Sequence, residues 1–444
     1  MRLFSLSLIF SVTLLCAAPL MAAPFPQRGN VSTVAGIDKL TLKESILFAL
    51  DRDPSVSQQA AQTGIGQAQI DEARSAWFPQ VSLNGNTGHS RTTDSSGSLK
   101  NSAAWGLSLT QLVYDFGKTN NTIDQQKKRL DSYRYQLMAT LTHVAEQTAL
   151  TYVEVKRYDA LIAAAHNNIN ALEAVQHIAG LRADAGLSSS SDVLQTHTRI
   201  GGMRAMLEQY QAALQSARAR LGVLTGVDAR SYAALPDSML PEQTSLEHID
   251  YSMVPGVMAA QAMEDASRSG VERAKAERWP TLSVRGGRTR YQSDNRNYWD
   301  DQIQFNVEAP LYQGGAVSAR VAQAEGARNI AMSQVEQAKF DVLQKASVAL
   351  ADWQGAWGRE AASQSQYENA LRAREVYRNE YKLSKRSLND LLSVEQDVWQ
   401  AESSRITADY DGWAAAVNYA AAIDSLLPLA GIAKDATNTL PNLN

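Results

Sequence analysis

The 444-residue chain has a single cysteine, Cys16, inside the opening stretch MRLFSLSLIFSVTLLCAAPLMAAPF. Arg2 supplies a positive n-region, Leu3 to Leu15 an apolar h-region, and Ala22-Ala23 the small residues of a cleavage site, the layout of a secretory signal peptide over 1–23. Leu15 is not the small residue that a lipoprotein signal places before its cysteine, so the thiol reads as h-region filler. A chain cut there would have no thiol, which excludes disulfides, cysteine-ligated metals and thiol chemistry. Long hydrophobic runs are also missing. No later stretch has 18 consecutive apolar residues, so no transmembrane helix is predicted in the mature chain. Neither charge sign dominates, with 42 Lys and Arg against 46 Asp and Glu. That balance argues against nucleic acid as a partner.

Site signatures are scarce. Gly117-Lys118-Thr119 matches the end of a phosphate-binding loop, but the position that needs the first glycine holds Leu112, so no P-loop is expected. The six histidines (His89, His143, His166, His177, His197 and His248) show no His-x-x-x-His spacing, and no metal site is expected. There is no Gly-x-Ser-x-Gly elbow. None of these patterns is a signature of catalysis or of a bound cofactor.

What is present is a duplication. SAWFPQVSL (75–83) parallels AERWPTLSV (276–284), LVYDFGKT (112–119) parallels PLYQGGAV (310–317), and SSDVLQT (190–196) parallels LNDLLSV (388–394). Tyr114 and Tyr312 stand 198 residues apart, as do Asp192 and Asp390. A period near 200 is too long for a solenoid repeat, so each copy is a substantial unit. The predicted organisation is a signal peptide (1–23), an N-terminal linker (24–39), a first repeat (40–228) with a β-hairpin near 79–114, a linker (229–243), a second repeat (244–428) with a β-hairpin near 280–312, and a C-terminal tail (429–444).

No proline falls between Pro79 and Pro236 or between Pro310 and Pro428. Those windows are rich in Ala, Gln, Glu, Arg and Leu, all good helix formers. From Leu137 to Leu172 apolar or small residues recur in alternating steps of four and three, the heptad of a coiled coil. Long helices are predicted over 118–185 and 316–383, about 100 Å each at 1.5 Å per residue. Shorter ones are predicted over 41–77, 191–227, 245–278 and 389–425. Such lengths describe a rod.

Between the first short and the long helix of each copy the period changes to two. Ile303, Phe305, Val307, Ala309 and Leu311 alternate with polar neighbours, as do Trp105, Leu107 and Leu109. A lone hairpin is unstable in water, whereas a strand of about ten residues with one apolar face suits a transmembrane β-barrel. Trp77, Phe78, Tyr114, Phe116, Trp279 and Tyr312 bracket the strands at one end, and Tyr291, Tyr298 and Trp299 at the other, like two membrane-interface girdles. Four strands cannot close a barrel, and lipid cannot satisfy an open edge. Closure requires chains to share the barrel, with eight strands from two or twelve from three.

The duplicated helix–hairpin–helix–helix units, the elbows YDFGK and YQGG, and the turns GLSSSSDVLQT and KLSKRSLNDLL resemble the TolC family of outer-membrane efflux proteins over nearly the whole mature chain. The resemblance implies a fold that is mainly α with membrane β. It would be a homotrimer with a shared twelve-stranded transmembrane β-barrel in outer-membrane lipid, continued into the periplasm by a long-helix α-barrel. The partners implied are a periplasmic membrane-fusion adaptor and an inner-membrane transporter, and the cargo is either a secreted protein or a small molecule. Tyr114, Gly117, Tyr312, Gly314 and Gly315 would form the strand-to-helix elbows. Asp192, Tyr381, Arg386 and Asp390 would fall at the periplasmic gate, through an Arg–Asp contact between neighbouring helices. Ser393 stands where some members carry a second aspartate, which weakens the expected attraction of cations. Asp192 and Asp390 also suit plain helix caps. The chain as a whole looks closer to members serving type I secretion with an ABC transporter. Small-molecule efflux is the alternative, and a non-pore adaptor or soluble coiled coil a remote one.

Overall fold

The computed structural model describes residues 35–90, 100–236, 249–293 and 296–432. The expected signal peptide with Cys16, most of the 24–39 linker, His248 and the tail beyond Ile432 lie outside the described residues. In chain order the elements are β1 (Ala35–Leu40), α1 (Leu42–Arg52), α2 (Pro54–Ser75), β2 (Gln80–Ser90), β3 (Lys100–Tyr114), α3 (Lys118–Asp184), α4 (Ser190–Thr225) and β4 (Val227–Tyr232) in the first copy. The second copy runs α5 (Pro255–Ala276), β5 (Thr281–Ser293), β6 (Arg296–Glu308), α6 (Ala316–Lys382) and α7 (Leu388–Ala422), followed by the short α8 (Leu426–Leu429).

The two long helices are 67 residues each, about 100 Å. Two of the shorter helices differ from expectation, and proline is the reason. The segment 41–77 is not one helix, because Pro54 has no N–H and pushes Asp53 to an extended conformation (φ −65°, ψ 124°). Asp53 then caps α2 by accepting the Ser55 N–H at 2.7 Å. Of the predicted helix 245–278, the described part from 249 is α-helical only from Pro255, behind a single 3-10 turn at Tyr251–Met253. Ahead of α1, Thr41 and Glu44 form a reciprocal capping box.

Nor are the expected linkers unstructured throughout. β1 and β4 pair in parallel, Ala35 opposite Val227 and Leu40 opposite Tyr232. Each strand has six residues, and its partner lies about 190 residues away, so no local pattern marks it. Leu40, Ile46, Leu50, Leu221, Tyr232 and Leu426 pack around the fully buried Tyr152 of α3. The Tyr152 hydroxyl proton is shared between the Leu40 and Ala233 carbonyls at 3.0 and 2.9 Å, one at the end of β1 and one just past β4. This pins the small sheet to the long helix.

α3 buries more than a two-per-heptad seam. Leu141, Val144, Thr148, Val155, Ala165, Ile169 and Leu172 are buried as the heptad requires, and so are Ala145, Ala149, Tyr152, Leu161 and Ala164. The extra stripe follows from α3 being flanked on several sides, by α2 and α4 from its own copy and by α5 and α7 from the other.

The hairpins merge into one antiparallel sheet in the order β2-β3-β5-β6, with β3 against β5 joining the two copies. Gly106 makes that seam. A side chain there would place its Cβ 2.6 Å from both the Arg288 carbonyl and the Thr289 hydroxyl.

The duplication is written in the backbone as well. Left-handed φ values occur at Phe116 and Gly314, Gly117 and Gly315, Gly186 and Ser384, and Gly226 and Asp424. Each pair is 198 residues apart. The hairpin tips close alike: Leu187 N–H bonds Arg182 O at 2.8 Å, and Lys385 N–H bonds Glu380 O at 2.9 Å.

Replacing Tyr152 with Phe leaves the ring packed and removes the hydroxyl from both carbonyls. It should cost about 1–2 kcal/mol of stability, measured as a lower thermal midpoint in helical circular dichroism.

Candidate functional site

Three zones concentrate chemistry: the sheet wall, the elbows where strands become helices, and the tips of the helical hairpins. Side chains alternate across a strand, so the register sorts the wall into two faces. One carries Val81 and Leu83 of β2, Trp105, Leu107 and Leu109 of β3, Leu282 and Val284 of β5, and Ile303, Phe305 and Val307 of β6. These apolar groups are left open, Ile303 86% and Leu83 72% exposed. The other face is polar, with Ser82, Asn84, Ser108, Thr110, Arg285, Gln302, Gln304 and Asn306. Its side chains bond one another, Ser82 to Ser108 at 2.7 Å and Asn84 to Ser108 at 3.1 Å.

The expected girdle residues fall on both faces at the loop end. Trp299 meets Trp105 edge-on at 5.6 Å on the apolar face. Its neighbour Tyr298 points the other way and stacks on Tyr291 at 5.2 Å on the polar face. Trp105 is the partner that the sequence reading left out of the girdle, although its position in the alternating run was the signal for it. At the helix end Phe116 bridges Tyr114 (4.7 Å) and Trp279 (5.7 Å). Phe78, Trp279 and Tyr312 are exposed and Trp77 is half-buried.

The elbow YDFGKT is built around Asp115, a buried carboxylate absent from the sequence-based candidates. Its two oxygens accept the Gly117 N–H at 3.1 Å and the Thr119 N–H at 2.7 Å. The chain's own carboxylate therefore occupies the first turn of α3, where a phosphate loop would hold its ligand. Gly117 sits at φ 91°, which glycine adopts freely. The Lys118 ammonium reaches the second copy, donating to Trp279 O at 2.8 Å and Thr281 Oγ1 at 2.7 Å. The second elbow turns with Gly314 and Gly315 at φ 60° and 85° and has no equivalent carboxylate.

At the tips, Tyr381 is buried among Leu172, Val175, Ala179, Leu388 and Leu391. Its hydroxyl has no hydrogen-bond partner among the described residues. Burial pushes the phenol up. Asp390 forms a capping box with Ser387: each backbone N–H donates to the other's side chain at 3.2 Å. The Ser387 hydroxyl and backbone N–H hold the Asp390 carboxyl below the usual carboxylate range. Arg386 pairs with Glu380 of its own hairpin at 2.9 Å and lies over the Tyr377 ring at 4.3 Å. Within the chain it makes no ion pair with Asp192 or Asp390. Asp192 lies half-buried in the first turn of α4.

The residue that ties the two hairpins is Arg182, which the sequence reading did not single out. Its guanidinium donates to Tyr381 O at 3.0 Å and Ser384 Oγ at 2.9 Å, and covers the Tyr381 ring at 4.9 Å. Gln195 adds a bond to Asn389 at 2.5 Å and Arg199 one to Gln396 at 3.0 Å.

Above the tips, α7 turns acids toward α6. Glu395 is fully buried, with Arg374 at 3.7 Å and Arg378 at 3.4 Å. One heptad on, Glu402 faces Tyr367, Arg405 and Arg374. Burial raises both carboxyls, and the arginines only partly offset it. Among the described residues no group of three His, Cys, Asp or Glu side chains could hold a metal, and no helix is long and apolar enough to cross a membrane.

Comparison with known proteins gives a family and a fold. The model of the outer membrane efflux protein family matches residues 47–227 and 254–423. Outer membrane efflux protein BepC of Brucella suis is 22% identical over 408 residues, 88% of this chain and 87% of that protein. Protein CyaE of Bordetella pertussis is 26% identical over 364 residues, 78% and 75% of the two chains. The solved structure of CusC superposes with a TM-score of 0.77 at 16% identity, covering 86% of this chain and 91% of CusC.

The raised acids carry a pH signature. The folded chain binds these protons more tightly than the unfolded one, so their stabilising effect is complete below the ordinary carboxylate range and is lost as pH climbs through the raised values. The stability of the native chain relative to a Glu402→Gln variant should therefore shrink from pH 4 to pH 8, read from paired thermal midpoints.

Proposed function

The chain belongs to the outer membrane efflux protein family, and from that premise we propose that it is the homotrimeric exit duct of a type I protein-secretion system. Family members are outer-membrane channels that work with a periplasmic adaptor and an inner-membrane transporter. The fold is that of the α-barrel plus β-barrel channels.

The observation that carries the trimer is the open sheet. Its edges β2 and β6 have no strand partner among the described residues, and its apolar face is uncovered. In lipid an unpaired edge leaves backbone N–H and C=O groups unsatisfied. The edge β6 of one copy against β2 of the next is a head-to-tail contact that closes into a ring. Three copies give twelve strands, wide enough for a duct. Below the membrane, α6 leaves Ile330, Met332, Phe340, Leu343 and Trp357 exposed. That row suits a neighbouring chain's helices.

Protein cargo is favoured by the polar wall. Its Ser, Asn and Gln side chains, bonded to one another, give an extended polypeptide little apolar surface to stick to outside the Tyr291–Tyr298 stack. In this reading Tyr381, Arg386, Asp390 and Asp192 belong to the periplasmic gate together with Arg182, which holds one hairpin tip against the other. In this reading Arg386 exchanges its Glu380 partner for an aspartate of the next chain.

Arg182→Ser, Arg386→Ser and Tyr381→Phe should each raise single-channel conductance in a planar bilayer. Conductance equal to the parent in all three would remove the gate assignment. The cargo is tested by quantitative mass spectrometry of the culture medium with and without this gene. Loss of one large secreted protein is the expected result. An unchanged profile with new sensitivity to small toxic compounds would make the cargo small molecules.

A further inference from the structure

The lipid-facing side of the sheet is not uniformly apolar. At its loop end, on the side away from the helices, two arginines stand on that face. The register aligns Trp105, Arg290 and Trp299 in one row across β3, β5 and β6, and Leu107, Arg288 and Asp301 in the next row toward the helices. Leu109, Gly286 and Ile303 follow, and beyond them Val284, Phe305, Leu282 and Val307 continue the apolar face with the polar Gln111 beside Val284. Both guanidinium groups lie against the Trp299 ring, Arg288 at 4.7 Å and Arg290 at 5.6 Å from its centre. Arg288 is also held by Asp301 at 3.2 Å. Among the described residues Arg290 has no carboxylate within ion-pair distance.

This is an expensive place for bare charge. A lipid-facing arginine costs little near the interface and about 2–4 kcal/mol at the midplane. The Trp105–Trp299 pair marks the interface itself, since indole rings settle at headgroup depth. The arginines therefore stand where headgroups begin, in a medium less polar than water, where a charge-assisted pair with an anion is strengthened. A guanidinium offers a planar fork that matches phosphate geometry. Two such forks share one indole, and the single carboxylate beside them orients Arg288 while leaving the patch with a net positive charge. The strand geometry fixes this arrangement, because residues 288 and 290 share a face in successive rows, opposite Asp301 and Trp299.

We propose that Arg288 and Arg290, braced by Trp299 and Asp301, form a phosphate site on the outer wall of the barrel for an outer-leaflet lipid whose headgroup is a phosphorylated sugar, such as lipid A. The phosphate sits between the two guanidinium groups, and the acyl chains run down the stripe of Leu107, Leu109, Ile303 and Phe305. The opposite face of the same strand carries Arg285, which faces the interior and takes no part. The proposal rests on the apolar face being the lipid face, and it is independent of the cargo.

The test is native mass spectrometry of the full detergent-purified chain, titrated separately with bis-phosphorylated lipid A, with lipid A stripped of its phosphates, with phosphatidylethanolamine and with inorganic phosphate. The parent should retain bis-phosphorylated lipid A. The Arg288→Gln/Arg290→Gln double variant should retain it on the order of thirtyfold less, at about 1 kcal/mol per arginine near a membrane surface. Phosphatidylethanolamine should be held equally by both proteins, and Arg285→Gln should retain lipid A like the parent. Stripped lipid A should bind the parent no better than bis-phosphorylated lipid A binds the double variant. Equal retention of lipid A by parent and double variant would overturn the site, as would an equal loss in Arg285→Gln or a double variant that loses both lipids together. Inorganic phosphate bound as tightly as lipid A would also overturn it, because a free anion would then be the ligand. A parent that retains phosphatidylethanolamine but not lipid A sinks this site alone. A parent that retains neither lipid sinks the lipid-face reading on which it stands.

Discussion

The backbone hydrogen bond at the edge of β2 and β6 is the constraint on which the rest depends. In water those groups could be solvated and a four-stranded sheet could stand alone. In lipid each unpaired N–H or C=O costs several kcal/mol, so the sheet has to be completed by other strands. The described residues hold no further hairpin, and in the proposed assembly completion falls to other copies of the chain. In the proposed ring the long helices stand side by side, and the large apolar side chains that α6 leaves in the open would meet a neighbouring chain there.

Duplication supplies this architecture cheaply and leaves its trace in backbone angles as much as in side chains. The four pairs of left-handed residues mark the two elbows, the two tips and the two ends of the shorter helices. At three of the four pairs one copy uses glycine and the other uses Phe116, Ser384 or Asp424, each of which bears a Cβ that the left-handed region disfavours by about 1–2 kcal/mol. The side chains at those sites earn their place through contacts. Phe116 joins the aromatic cluster of the elbow, Ser384 receives Arg182, and Asp424 accepts the Thr142 hydroxyl at 2.5 Å.

The two copies differ at the elbows and at the hairpin tips. The first elbow is capped by Asp115 and clamped to the second copy by Lys118, while the second turns on two glycines. Arg182 and Glu380 occupy equivalent positions, 198 residues apart, yet one crosses to the other hairpin and the other holds Arg386 at home. The α6–α7 hairpin also buries Glu395 between arginines that are themselves half-buried. A buried ion group of this kind adds little net stability, but it sets which faces of the two helices meet.

Periodicity made much of the molecule legible from residues alone. The four-three spacing from Leu137, the proline-free windows and the 198-residue offset determined two long helices flanked by shorter ones, and the alternation around Ile303 and Trp105 determined strands with one apolar face. These are local properties, repeated often enough along the chain to be read without a partner. Only the tertiary structure decided that β1 pairs with β4, that Gly106 seams the two hairpins into one sheet, that Tyr298 faces away from Trp299's girdle, and that Arg182 ties the tips while Arg386 stays with Glu380. Most of these depend on groups brought together from distant parts of the chain. Tyr298 was lost by grouping neighbours that a strand necessarily separates. A contact between residues some 200 positions apart leaves no period in the sequence, and a long flexible arginine has several acceptors within reach until packing removes all but one.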